Sequence, residues 1–362
     1  MTNILNYDTL DATDCTGGEF VTKVTIYTLA KELNMTPSMI SRAFNPNGKI
    51  SDEKRKIILE VANRYGFTPN KFASRLSMKN VRIGVLINSR FAINTDKMIA
   101  GIENAYAKLK DYKIQYDVTI MNSLENKSED YIDVLNRYKN YNGLIVAGMS
   151  SEKYVNMLNT VCKENSNVVQ VQAVNKSVDS LFVSKHNEET ASSLAAEFLY
   201  NCLKGKERKN ILLFTGDKES ALHSESENAF KNACKEFDLC VLKSIDMKDS
   251  EEYFSEIISD VFERYISEAD GIYITSGISS PLCRYIEENN INIPFVSFDT
   301  YEDIKKYIKK GIISATIAQN VEKQMENAFE YLVKHIISDE EFPKTVYTDV
   351  QLVLKSNMHQ FS

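Results

Sequence analysis

The chain has 362 residues, of which 43% are hydrophobic and 26% are charged, and its formal net charge at pH 7 is −7. This length predicts a small domain joined to a larger domain that is itself divided in two, because a single core rarely grows so large. No apolar run approaches the roughly 18 residues that a membrane span needs, and the acidic start of the chain does not resemble a secretory signal. We therefore expect a soluble, cytoplasmic protein that does not enter a membrane.

The charge is unevenly distributed along the chain. Residues 1–22 carry four acidic and no basic side chains, residues 23–79 carry 11 basic and four acidic ones, and residues 80–362 carry 32 basic and 42 acidic ones. A basic module beside an acidic body is typical of nucleic-acid readers, because phosphate neutralisation supplies much of their affinity. A solvated basic helical domain would give the same pattern, so charge alone leaves both interpretations open. The acidic extension 1–22 is predicted to be disordered, and the alternative is that it folds back on the basic headpiece and weakens DNA binding.

Cysteine and histidine positions give no sign of a metal site or of catalysis. The six cysteines are scattered, without a CxxC pair or a histidine at metal-ligand spacing, so we expect free thiols. The sequence also lacks a GxSxG motif, a P-loop, an HExxH motif and a GxGxxG motif after a strand. We therefore expect a protein that is not an enzyme and that holds no metal and no cofactor.

Two short helices are predicted near the start of the basic module. Thr25 is a natural N-cap for the first helix, whose apolar positions recur at helical spacing in Ile26, Leu29, Ala30 and Leu33. The second helix starts with Thr36 as N-cap and Pro37 at the first helical position, and it runs to about Phe44. Two helices around a tight turn predict a helix-turn-helix unit.

A third helix completes this module. Ser51 is its predicted N-cap and Gly66 its stop signal. Its apolar stripe is formed by Ile57, Ile58, Val61, Ala62 and Tyr65. We expect this stripe to close a three-helix core against the inward-facing residues of the second helix, Met39, Ile40 and Ala43.

The module resembles a known DNA-binding headpiece. Residues 24–45, 50–51 and 65–70 match, in order, the headpiece of the lactose-repressor/galactose-repressor family. The resemblance implies that the second helix enters the major groove. It implies base contacts from Pro37, Ser38 and Arg42, and phosphate contacts from Tyr27, Thr36, Ser41 and Asn45. Arg42 is the strongest candidate, because a guanidinium can pair with guanine through two hydrogen bonds.

Residues 70–80 form the connection to the body. Asn70 can cap a short helix that bears Ala73 and Leu76 on neighbouring turns. The family resemblance implies a hinge helix that orders on the operator, with Leu76 as a wedge in the minor groove and Arg75 beside it on phosphate or a groove edge. An ordinary linker, with Leu76 packed on the body, is the alternative.

From residue 81 onward, predicted strands alternate with amphipathic helices, which indicates mostly parallel sheet covered on both faces. So many units exceed one simple sheet and predict two similar lobes facing a cleft. The predicted strands are Arg82–Ile87, Tyr116–Met121, Gly143–Ala147, Val168–Val171, Ile211–Phe214, Cys240–Ile245, Gly271–Thr275, Pro294–Phe298 and Ala315–Ala318. Ligands bind at the carboxyl ends of such strands, which points to the segments after Ile87, Val171, Thr275, Phe298 and Ala318.

The body resembles the type I periplasmic-binding-protein fold that the same repressor family carries. Residues 293–299 and 311–320 carry the resemblance, and the second motif is similar to ribose-type sugar binders. The resemblance implies that Asp299 accepts hydrogen bonds from sugar hydroxyls, that Gln319 donates and accepts at the lobe crossover, and that Asn88 and Phe91 border the pocket. A sugar is therefore the expected class of effector.

Several candidate pocket positions depart from the family pattern. They are His186-Asn187 in place of Asp-Asn, Ser226 in place of a ligand-clamping Arg, Ser276-Gly277 in place of Asn-Asp, and Gln172 in place of Asp. Losing the Arg removes a bidentate donor, so the charge and class of the effector stay open. Gln172, Ser226 and Ser276 remain candidate effector contacts.

Three pocket residues also have simpler interpretations. Asp299 is compatible with an ordinary strand-end turn or with a helix cap before Thr300-Tyr301. His186 is compatible with a buried, hydrogen-bonded side chain. His223 adjoins Ser224, but adjacency in sequence is not the geometry of a catalytic pair, and we interpret the two as belonging to a polar loop at a lobe mouth.

The sequence predicts a transcriptional repressor that binds a palindromic DNA operator as a homodimer and responds to a small effector. A free-standing sugar receptor is the alternative, and the basic headpiece argues against it. Whether the effector releases the operator or tightens binding stays open. The predicted domains are the extension 1–22, the headpiece 23–69, the hinge 70–80, one effector lobe from 81–184 and 318–343, and the other from 185–317 and 344–362.

Overall fold

The computed structural model describes residues 24–44, 49–67, 80–89, 92–122 and 125–361. The chain divides into two compact units, residues 1–77 and 78–362. We call the described residues of the first unit the headpiece and those of the second the body. No described helix is long and apolar enough to cross a membrane. The predicted extension 1–22 and the hinge residues 70–79 lie outside the described residues.

The headpiece consists of three helices, α1 (Ile26–Glu32), α2 (Pro37–Phe44) and α3 (Asp52–Arg64), as predicted. Thr25 and Thr28 form a capping box that satisfies backbone N–H groups at the start of α1. At the start of α2, the Thr36 hydroxyl accepts a hydrogen bond from the Met39 N–H. The buried core is formed by Leu29, Ala30, Ile40, Ala43, Ile58 and Ala62.

Two residues of the predicted stripe on α3 do not join this core. Ile57 is 44% exposed and Tyr65 is 42% exposed. The core-facing side of α3 is narrow, because Ile58 and Ala62 lie one turn apart on it while Ile57 is rotated away by about 100°. Tyr65 follows the last helical residue as the C-cap. The stripe was therefore predicted too wide.

The first lobe of the body is built on a six-stranded sheet in the order β11-β5-β4-β3-β1-β2, with all described pairs parallel. Its strands are β1 (Val81–Asn88), β2 (Ile114–Met121), β3 (Gly143–Ala147), β4 (Val168–Val171), β5 (Phe182–His186) and β11 (Thr345–Thr348). Its helices are α4 (Ala92–Lys108), α5 (Ser128–Tyr138), α6 (Val155–Glu164) and α12 (Val321–Ser338). Gly101 lets α4 approach α12, because a Cβ there would lie 2.3 Å from the Glu322 carbonyl oxygen.

The second lobe repeats this pattern in the order β12-β10-β9-β8-β6-β7, in which β12 alone of the described strands is antiparallel. Its strands are β6 (Asn210–Thr215), β7 (Cys240–Asp246), β8 (Gly271–Ile274), β9 (Phe295–Phe298), β10 (Ala315–Gln319) and β12 (Val350–Val353). Its helices are α7 (Glu188–Cys202), α8 (Ala221–Glu236), α9 (Glu251–Tyr265), α10 (Ser280–Glu288) and α11 (Glu302–Lys310). The shared order makes β4 equivalent to β9 and β5 equivalent to β10.

All nine predicted strands are present, and three further strands, β5, β11 and β12, were not predicted. The chain crosses between lobes after β5, after β10 and between β11 and β12. Assignment of residues 344–348 to the second lobe was wrong, because β11 pairs with β5 in the first sheet. The first crossing likewise falls after His186 rather than after 184, and the second after Gln319 rather than before 318.

Candidate effector cavity and DNA-binding face

The headpiece presents the predicted DNA-contacting residues on an exposed side of α2. Thr36, Ser38, Ser41 and Arg42 are exposed, Pro37 is half-buried, and Tyr27 on α1 is 71% exposed. Ile40 and Ala43 on the opposite side are buried. The Arg55 guanidinium donates a 2.9 Å hydrogen bond to the Ala43 carbonyl oxygen, which ties the end of α2 to α3. The remaining predicted DNA contacts, Asn45, Ala73, Arg75 and Leu76, lie outside the described residues.

A polar cavity of about 240 Å³ lies between the two lobes of the body, at the carboxyl ends of the strands. Six predicted effector residues line it: Asn88, Gln172, Ser226, Ser276, Asp299 and Gln319. The seventh, Phe91, lies outside the described residues. The cavity thus lies where the strand-end rule predicted, after β1, β4, β8, β9 and β10.

Asp299 and Gln319 lie side by side at the ends of the neighbouring strands β9 and β10 of the second lobe. Gln319 Nε2 donates a 3.2 Å hydrogen bond to Asp299 Oδ2, and Gln324 Nε2 lies 3.4 Å from Gln319 Oε1. Burial raises the pKa of Asp299 to about 6, although hydrogen bonds with Tyr301 and Gln319 oppose the shift. Asp299 is not a helix cap, since the N-cap of α11 is Tyr301.

In the first lobe, Asn88 and Gln172 are held by neighbouring side chains. Asn88 Nδ2 donates to the Gly148 carbonyl oxygen at 2.7 Å, and the Tyr131 hydroxyl donates to Asn88 Oδ1 at 2.7 Å. Gln172 Oε1 accepts a 3.2 Å hydrogen bond from Asn94 Nδ2. Asn88 therefore has one N–H left for a ligand, whereas the Gln172 amide N–H groups make no described hydrogen bond to protein.

His186 is buried in the cavity wall at the end of β5. Burial lowers its pKa, and the nearby Lys185 ammonium adds to this while Glu188 opposes it. Neither ring nitrogen has a partner at ordinary hydrogen-bond distance among the described residues, and Nε2 lies 3.7 Å from Glu188 Oε1. A neutral imidazole offers one donor and one acceptor to a bound molecule.

Other buried polar atoms of the cavity wall share this feature. Within the described chain, no protein partner satisfies Asn94 Oδ1, the Tyr154 hydroxyl, His223 Nδ1 or the Thr275 hydroxyl, and all four residues line the cavity. Buried polar groups are almost always hydrogen-bonded. Their concentration around one cavity therefore indicates a site for a polar molecule.

A polar cluster in the second lobe was not predicted from the sequence. His223 Nε2 lies 3.0 Å from Asp249 Oδ2, and the Ser276 hydroxyl donates to Asp249 Oδ1 at 3.2 Å. His223 lies on the first turn of α8, so its assignment to a loop was wrong, although it does lie at the cavity. His223 was predicted to lie at a lobe mouth, but its contact with Asp249 was not predicted, because the two residues are far apart in sequence.

Comparisons with known proteins identify the body. A family model described as a periplasmic binding protein domain matches residues 84–340. The chain belongs to this family. Catabolite control protein A of Priestia megaterium is 26% identical over 280 residues, covering 75% of this chain and 80% of that protein. The HTH-type transcriptional regulator pepR1 of Lactobacillus delbrueckii subsp. lactis is 26% identical over 205 residues, covering 55% of this chain and 57% of that protein.

A solved structure shows the same fold. GanP, a glucose-galactose binding protein from Geobacillus stearothermophilus, superposes with a TM-score of 0.68 at 17% identity, covering 77% of this chain and 99% of that one. The family model confirms the resemblance of the body to the periplasmic-binding-protein fold, and the regulator relatives support the resemblance of the chain to the lactose-repressor/galactose-repressor family.

Within the periplasmic binding protein domain, Ser226 and Gly277 line the cavity and also make contacts with other residues of the protein. The Ser226 hydroxyl donates to the Leu222 carbonyl oxygen at 3.0 Å, so its proton is already used within the protein. Gly277 makes room for the Tyr301 ring, because a Cβ there would lie 2.3 Å from Tyr301 Cε2. The glycine at this position thus leaves space for a tyrosine in the cavity wall.

Proposed function

We propose that this protein is a DNA-binding transcriptional regulator whose periplasmic binding protein domain binds a sugar as effector. The observation that carries the proposal is the set of unpartnered buried polar atoms around one cavity between the lobes. The helix-turn-helix headpiece on the same chain and the relatives among HTH-type regulators support DNA binding.

The chemistry of the cavity supports a sugar. Asp299 and Gln319 offer hydrogen-bond groups to adjacent hydroxyls, and His186 offers a donor and an acceptor. Phe298 and Tyr301 place aromatic rings in the wall, suited to the apolar face of a sugar ring. The cavity volume of about 240 Å³ is below the roughly 300 Å³ at which pockets for drug-sized ligands begin, which favours a monosaccharide.

The exposed face of α2 supports major-groove reading by Ser38 and Arg42, with Tyr27, Thr36 and Ser41 on phosphates. The regulator acts as a homodimer on a two-fold symmetric operator, with residues 70–80 as the hinge. Effector binding changes lobe closure and thereby the operator affinity, since any ligand that binds one state better shifts the equilibrium toward it.

A thermal-shift panel tests the effector. Ribose, arabinose, glucose, galactose, their phosphates and nucleosides are each added to the full-length protein. We expect one monosaccharide to raise the melting temperature in a concentration-dependent way, and Asp299→Asn to remove the shift. A response to nucleosides or phosphates alone would contradict the sugar assignment while leaving DNA binding intact.

Selection of random DNA duplexes on the protein tests DNA binding. We expect enrichment of a palindromic sequence whose affinity changes when the effector is added. If no sequence is enriched over random DNA while a sugar still gives a thermal shift, the result would instead support a free-standing sugar receptor.

A further inference from the structure

The lobes contact each other through the start of α8. On one side, the Ser220 and Ser150 hydroxyl oxygens lie 2.8 Å apart, and Ser220 forms an antiparallel bridge with Ser151. Ser150 and Ser151 belong to the first lobe, in the segment after β3, whereas Ser220 is the N-cap of α8 in the second. This contact fixes one end of the first turns of α8 against the first lobe.

A charge cluster fixes the next turn. Glu225 Oε2 lies 2.8 Å from the Lys185 ammonium, and Glu225 Oε1 lies 3.1 Å from that of Lys176. Lys185 is on β5 and Lys176 follows β4, so both belong to the first lobe, whereas Glu225 belongs to the second. Lys185 is nearly fully buried, and it also pairs with Glu188 at 3.0 Å, beside the first crossing between the lobes.

The two lysine contacts of Glu225 differ in weight. The Lys176 side chain is 81% exposed, and such an exposed pair contributes little. Burial lowers the pKa of Lys185, but Glu188 and Glu225 outweigh this and hold the pKa above its usual value. Glu188 lies three residues from Lys185 at the start of α7, whereas Glu225 reaches Lys185 from α8.

We propose that Glu225 is a positioning residue that holds the lobes closed over the cavity, by pairing across the cleft with Lys185 and Lys176. Between the serine contact and this charge cluster, α8 carries His223, and Ser226 follows directly; both line the cavity. The contacts of Glu225 across the cleft therefore position His223 and Ser226 in the cavity wall. The inference rests on the proposed effector cavity, but its test needs no effector.

Spin labels at exposed Glu129 in the first lobe and Glu256 in the second report the distance between lobes by pulsed electron resonance. In the full-length, effector-free protein, we expect Glu225→Gln to shift the distance distribution to longer and broader values. Glu219→Gln is the matched control, because it makes the same charge change on an exposed side chain that makes no described ion pair. An unchanged distribution in Glu225→Gln would overturn the proposal.

Salt provides a second measurement, which compares the wild-type chain with Glu225→Gln. Raising the salt from about 0.05 M to about 1 M screens partly exposed charge pairs, so the distribution of the wild-type chain should broaden while that of Glu225→Gln stays constant. An equal response of both chains would contradict the proposal. Failure of the effector panel with a positive result here would refute the proposed effector and leave the positioning role of Glu225 intact.

Discussion

Gln172 and Asp299 occupy equivalent places in the two lobes, both in the left-handed backbone region, with φ of 64° and 67°. Gln172 follows β4 and its N–H donates to the Ser184 carbonyl oxygen at 2.9 Å, and Asp299 follows β9 and its N–H donates to that of Ile317 at 2.8 Å. Neither residue is a glycine, so both backbones are strained. Strain retained at matching positions of one cavity is typical of a functional site.

This strain predicts that glycine is preferred over alanine at position 172. Alanine keeps the left-handed penalty, so we expect Gln172→Gly to be more stable than Gln172→Ala by about 1 kcal/mol, as measured by urea unfolding. The same pair of substitutions at Gln351, an exposed residue of β12, is the control, and there glycine should be the less stable. The same ranking at both positions would contradict the argument.

Asp299→Asn should change how stability depends on pH. The folded pKa of Asp299 is raised from 3.8 to about 6, so between these values the folded protein binds more protons than the unfolded chain. Its free energy of unfolding therefore falls as pH rises through this range. At pH 7.5 we expect Asp299→Asn to be more stable than the wild type by up to about 3 kcal/mol, with the difference disappearing toward pH 4.

Denaturant unfolding between pH 4 and pH 7.5 measures this difference. Asp339→Asn is the matched control, because Asp339 is exposed and also has a left-handed backbone. A pH-independent gain in both variants would mean that asparagine merely suits the backbone better.

Gly277→Ala should displace the Tyr301 ring. The added methyl group would lie 2.3 Å from Tyr301 Cε2, and overpacking of this kind costs about 1–3 kcal/mol. We expect the cost to disappear in a chain that already carries Tyr301→Ala, so that the two substitutions are strongly non-additive. Thermal or urea unfolding of the four chains measures the coupling, and additive effects would show that the ring moves freely.

Arg42→Ala should weaken binding to the selected operator. Loss of a guanidinium that pairs with guanine costs about 1–3 kcal/mol, or roughly 5- to 150-fold in affinity, with a smaller effect on random DNA. Lys56→Ala removes the same charge from an exposed position on α3 and serves as the control. Fluorescence anisotropy at fixed salt measures both, and equal losses on operator and random DNA would limit Arg42 to a phosphate contact.

The fold was largely predictable because its signals are local. The caps at Thr25 and Thr36 and the short apolar runs of the inner strands are set by neighbouring residues, and the structure has them as predicted. The two strands in residues 345–353 were not predicted. They form one stretch rich in β-forming residues, and Asp349 separates the part in one sheet from the part in the other. Only pairing with β5 and β10 decides which half joins which lobe.

By itself, the sequence determined the strand ends and therefore which side chains, such as Asn88, Gln172 and Asp299, meet at one edge of the sheets. The tertiary structure alone decided which buried polar atoms lack a partner, how far Asp299 is desolvated and which residues join the lobes. Contacts such as His223 with Asp249 and Glu225 with Lys185 join residues 26 and 40 positions apart. Their hydrogen bonds and charges depend on distances that no local pattern encodes, because they arise only when elements distant in sequence pack together.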